Sequence, residues 1–153
     1  MTLPPPVHDH EAPSPGRARQ LREAPAERHR FLWSWGPVIL YGALIFTLSS
    51  ISNLPTVPGG PSDKILHGVE YAGLGGLLVR ALGGPRWGAV RMSTVFGATL
   101  LAVLFGLSDE AHQSFVPGRE CDWRDALADT IGAAVAASAL YAWGIITGFF
   151  GAR

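Results

Sequence analysis

The sequence predicts an all-α, polytopic membrane protein: a bundle of four transmembrane helices with a disordered N-terminal tail. Of its 153 residues, 48% are hydrophobic and 16% are charged, against roughly a quarter charged in a soluble domain. The apolar residues gather into runs near the ~20 residues that cross a bilayer. Most of these runs are apolar all round, whereas a water-soluble bundle needs a polar face on every helix.

Residues 1–30 are rich in proline and charge and lack apolar periodicity. Such a segment buries too little surface to offset its ordering entropy, so it is expected to be a disordered cytoplasmic tail. It has no basic start, apolar core and small-residue cleavage site, so it does not read as a signal peptide. The transmembrane domain then covers 31–153. Its first run, 31–51, has no charge. The second, 65–82, is weaker because it holds His67, Glu70 and Arg80. It is counted as a span because its charges sit near its ends, and omitting it would put neighbouring runs on the wrong side by charge. The third, 87–107, has only Arg91; the fourth, 126–150, only Asp129.

Four spans put Arg17, Arg19, Arg22, Arg28, Arg30, Arg80, Arg86, Arg91 and Arg153 on one side. The positive-inside rule makes that side cytoplasmic, together with both termini. The links 52–64 and 108–125 then face outward. Net charge is zero, and the arginines of the tail are diluted by Asp9, Glu11, Glu23 and Glu27, so nucleic-acid binding has no support. Cys121 is the sole cysteine, which rules out an intramolecular disulfide and a CxxC metal site.

The polar residues converge. At about 100° per residue, Asp63, His67, Glu70 and Tyr71 share one arc of the second helix. Gly68, Ala72 and Gly76 form a small-residue stripe beside it, which suits close helix packing. If the third helix runs one turn past Ser108, then Asp109, His112 and Gln113 share a face. Val116-Pro117-Gly118-Arg119 ends it. Asp125 and Asp129 lie one turn apart at the start of the fourth helix, with Gly132 and Ala136 continuing their face. A carboxylate one turn inside an apolar run marks function by default, although Asp125 also suits a helix cap. Three helices thus aim His67, Glu70, Tyr71, Asp109, Glu110, His112, Asp125 and Asp129 at the outer boundary of the membrane. Ser49 and Ser50 read as satisfying the end of the first helix, and Glu120, Asp122 and Arg124 as solvated.

The same residues carry a resemblance. Residues 63–71 read DKILHGVEY, 108–119 read SDEAHQSFVPGR, and 125–133 read DALADTIGA. Together the strings resemble the VanZ family over about residues 33–150. The resemblance implies a small four-helix integral membrane protein. The founding member is associated with resistance to the glycopeptide teicoplanin, and a wider kinship to enzymes that process lipid head groups has been proposed.

Two functions follow as expectations. The first is an enzyme acting on lipid head groups or lipid-linked envelope precursors. In it His67 or His112 is the base, and Asp109 or Glu110 orients a histidine or binds metal. Arg119, with Gln113 and Lys64, holds the substrate. A divalent cation is a candidate cofactor, with donors from different helices. The second is a non-catalytic membrane protein that binds envelope lipids or the antibiotic, using Phe115, Val116 and Trp123 as an interfacial loop. Transport is a weaker reading, since no inverted repeat is evident, and a purely structural partner is the bland one.

Overall fold

A run of apolar residues in a helix must face lipid or another helix, and here the two uses divide cleanly between faces. The computed structural model describes residues 15–52, 62–84, 90–119 and 121–151. They form four helices: α1 (Pro15–Ser49), α2 (Asp63–Gly83), α3 (Met92–Gln113) and α4 (Trp123–Gly151). By compactness the chain divides into Met1–Trp33 and Ser34–Arg153. No strand is present among the described residues.

Residues 15–30, expected to be disordered, are helical. Pro15 opens the helix, where its missing N–H is not needed. The Arg, Ala, Gln, Leu and Glu that follow are strong helix formers, and the helix continues through Pro25. The rest of the tail, residues 1–14, lies outside the described residues. In the third helix the expected start at Trp87 also falls outside them, and α3 begins at Met92.

Among the described residues, three helical segments are long and apolar enough to cross a membrane: Glu27–Ser49, Met92–Gln113 and Trp123–Thr147. The expected second span is not among them. His67, Glu70 and Arg80 lower its hydropathy, and α2 turns His67 inward along with Tyr71, Leu74, Gly75, Leu78 and Val79.

The interior is made of small residues. Ala98, Ala102, Ala133 and Ala137 are fully buried, alongside Ile45, Leu74, Leu78 and Val79. Small side chains let helices approach closely where dispersion replaces the hydrophobic drive. The approach is closest between α2 and α4. A Cβ at Gly132 would stand 2.0 Å from the Gly68 carbonyl oxygen. One at Gly75 would stand 2.8 Å from the Ala133 Cα. Gly68 pairs with Gly132 and Gly76 with Leu140, so the two helices run parallel in fixed register. The stripe predicted on α2 therefore has its partner on α4. The outer surface is the reverse of a soluble protein's: Leu40, Phe96, Val69, Val135 and Ile39 are each more than 60% exposed. Apolar exposure on this scale calls for lipid.

Candidate functional site

Parallel α2 and α4, with α1 and α3 running against them, bring two N-terminal and two C-terminal helix ends together. Ser49, His67, Asp109, Glu110, Gln113, Asp125 and Asp129 are all buried at this end.

At its centre the His67 Nδ1 lies 3.0 Å from Asp129 Oδ1. The glycine contact between Gly68 and Gly132 brings α2 and α4 near enough for this pair to form. Asp129 is only 2% exposed, and its second oxygen faces Gly106 of α3, where a Cβ would stand 3.2 Å from it. That same point is 3.2 Å from Tyr71 Cε1, so Asp129 and Tyr71 converge against α3. The Tyr71 ring is 1% exposed, and its buried hydroxyl has no hydrogen-bond partner among the described residues.

Asp109 accepts from the Ser49 hydroxyl at 2.6 Å and from Gln113 Nε2 at 3.0 Å. Ser49 thus joins α1 to the carboxylate network as well as bonding the Phe46 carbonyl of its own helix. The neighbouring carboxylate, Glu110, accepts from the Asp122 backbone N–H at 3.0 Å. At the rim, Lys64 Nζ donates to Asp122 at 2.7 Å and to Asp125. Asp122 is therefore an ion-pair partner and not simply a solvated charge. The Lys64 ammonium, then the Arg124 backbone N–H, hold its carboxyl below the usual range. Partial desolvation and the nearby Glu110 carboxylate push the exposed Cys121 thiol up, so it is no activated nucleophile.

Two expected residues take other places. His112 lies away from the His67–Asp129 pair: its Nε2 is 3.0 Å from the Ser50 hydroxyl, and its ring stacks on Phe46 at 4.0 Å between centroids. Helix α3 does continue to Gln113, but one residue's rotation separates His112 from the inward face of Asp109 and Gln113. Arg119 donates Nε to the Ile51 carbonyl at 3.2 Å and Nη2 to that of Leu48 at 3.4 Å. It caps the end of α1, with guanidinium N–H groups to spare, since arginine carries five.

A cavity of about 400 Å³ opens between α1 and α2 at this end. Leu44, Ile45, Leu48, Leu66 and Val69 form an apolar wall, and His67, Glu70, Asp109, Gln113 and Arg119 a polar end. Tyr41 also lines it and donates its hydroxyl to the Glu70 carbonyl at 3.1 Å. Among the described residues, two sets of side chains have metal-ligand spacing: His67, Glu110 and Asp129, and nearer the surface Asp63, His67 and Asp125. Ser49 and Tyr41 had a legible signal: with Gly42 and Ile45 they recur at helical spacing on one face of α1. Glu120 lies outside the described residues.

Fold and site together define a multi-pass, all-helical membrane protein with acids and an imidazole buried at one end. The VanZ/LLP1 family profile matches residues 17–146, most of the chain. The protein belongs to that family, as the strings around His67, Asp109 and Asp129 implied. Neither a curated protein nor a solved structure matches it.

Proposed function

We propose that the protein crosses the membrane four times and acts on head groups of lipids or lipid-linked envelope precursors at the outer leaflet. Helix α2, with 21 residues, is long enough for the fourth crossing at about 1.5 Å per residue. With both termini cytoplasmic, the polar end faces outward.

The observation that carries this reading is the two-natured cavity, closed by a buried histidine–carboxylate pair. A lipid presents the matching pattern, an acyl chain joined to a charged group. In the proposed chemistry Asp129 fixes the ring orientation of His67, leaving the other ring nitrogen to move a proton at the head group. The N–H groups of Arg119 not used on α1 hold anionic oxygens. Substituting His67→Ala in protein that still reaches the membrane is expected to change the profile of envelope lipids and lipid-linked precursors. It is also expected to change glycopeptide susceptibility if the protein contributes to resistance. An unaltered lipid profile removes the catalytic reading.

One observation favours a second reading, non-catalytic capture of a lipid or antibiotic. Phe115 is 85% exposed and Trp123 69% exposed beside the polar end, as an interfacial anchor would be. Vesicle or glycopeptide binding that survives His67→Ala, with lipid chemistry unchanged, selects it.

A further inference from the structure

Two buried carboxylates share one imidazole: Glu110, held otherwise by the Asp122 backbone N–H, and Asp129, bonded to His67. Asp109 is satisfied by Ser49 and Gln113. Lys64 is engaged by Asp122 and Asp125, and Arg119 by the end of α1. Glu110 and Asp129, 4% and 2% exposed, face each other across His67. Burying two negative charges beside one imidazole is unfavourable unless a proton or a cation joins them.

We propose that His67, Glu110 and Asp129 bind one divalent transition-metal ion of the Zn²⁺ or Mn²⁺ type, with the Tyr71 hydroxyl directed at its open side. Their donor atoms all lie within 4.8 Å of one another. A tetrahedral ion with bonds of about 2.0–2.2 Å holds its donors about 3.4 Å apart, so the three side chains must rotate inward to close on it. One imidazole with two carboxylates suits Zn²⁺, Mn²⁺ or Fe²⁺ over Ca²⁺ and Mg²⁺, which take oxygen.

The independent observation is Tyr71. A tyrosine hydroxyl buried without a partner is costly, and this one sits on the ring that converges with Asp129 against Gly106. Water or a substrate oxygen on the ion gives it an acceptor. The shallower set is disfavoured because Asp125 already holds the Lys64 ammonium, which a cation there would have to displace.

As the electrophile for an anionic head group, the ion deepens the proposed function and rests on it, with His67 then a ligand in place of the proton carrier, but its binding is measured separately. The full chain in lipid nanodiscs, stripped with chelator, is titrated with Zn²⁺ and Mn²⁺ by calorimetry and by Mn²⁺ spin resonance, with Mg²⁺ as competitor. A single ion per chain is expected. Glu110→Gln and Asp129→Asn each weaken it about tenfold or more, while Asp63→Asn and His112→Gln leave it unchanged. Tyr71→Phe keeps the packing, weakens the site less, and serves if the carboxylate variants lose their helical circular dichroism. No saturation by either ion, or weakening by Asp63→Asn and not by Glu110→Gln or Tyr71→Phe, overturns the assignment. Head-group binding is measured on the same stripped protein: its survival without any metal site sinks the ion alone, whereas metal binding without head-group binding sinks the function alone.

Discussion

Asp109 has donors from two helices, and removing one isolates part of its charge. Ser49→Ala is expected to lower stability by about 1–3 kcal/mol, the cost of a buried acceptor left short of a partner. Ser50→Ala, at an exposed position, should stay within about 0.5 kcal/mol. Thermal unfolding of both variants in the same detergent checks the contrast. Asp122 adds a pH dependence. Its carboxyl is held below the ordinary range in the folded state by Lys64. Its contribution is therefore present above the ordinary carboxylate pKa and fades as pH falls through the folded value. The difference in Tm between the native protein and Asp122→Asn should hold from neutral pH down to the ordinary carboxylate range, then shrink and vanish in strong acid. A gap that survives there contradicts the ion pair. At this scale the sequence exposed what was chemically conspicuous: Asp129 inside an apolar run, His67 and Asp63 on one arc. It showed the face of α1 that Ser49 occupies but not its bond to Asp109, because a serine near a helix end has a local explanation and its long-range partner is visible only in space. His112 misled for the converse reason. It sits in the strongest motif, yet one residue's rotation carries it to Ser50 and Phe46.

Among the elements, α2 and α4 set the geometry of the site through backbone contact. Gly132→Ala places a methyl group where the Gly68 carbonyl stands, and neither backbone can yield without parting the helices. It is expected to destabilise the fold by about 3 kcal/mol, near the upper end for overpacking, and to disrupt the His67–Asp129 pair. Gly36→Ala in α1, where nothing lies within 4 Å, should be neutral or gain up to about 1 kcal/mol of helix propensity. Comparing the midpoints of denaturation of the two variants tests whether contact or propensity decides. The helices were legible from their apolar runs, and the stripe of Gly68, Ala72 and Gly76 from its spacing. The extension of α1 back to Pro15 was not, because proline and charge pointed to disorder while the intervening Ala, Leu, Arg and Glu favour helix. The partner of the stripe was also hidden, since spacing gives a face and not the helix it meets.

For the whole molecule, hydropathy finds three crossings and polar α2 is the element in question. If α2 crosses too, Cys121, exposed in the structure, is accessible from outside. A membrane-impermeant thiol reagent should then label intact cells, and reporters fused to either terminus should read cytoplasmic. Protection of Cys121 until the membrane is permeabilised would reverse the orientation. The polar pairs also constrain biogenesis. Ser49–Asp109, Lys64–Asp122 and His67–Asp129 join residues separated in sequence by 60, 58 and 62 positions. While the ribosome is still making α3, Lys64 and His67 have emerged but their acidic mates do not yet exist. A chain halted there holds a cation and an imidazole with no counter-charge, a form that quality-control proteases should recognise. Ser49–Asp109 can close once α3 is made, but the links of Lys64 and His67 await the chain from Asp122 into the last helix, so a chain shortened before it is expected to be degraded and not to accumulate half-assembled.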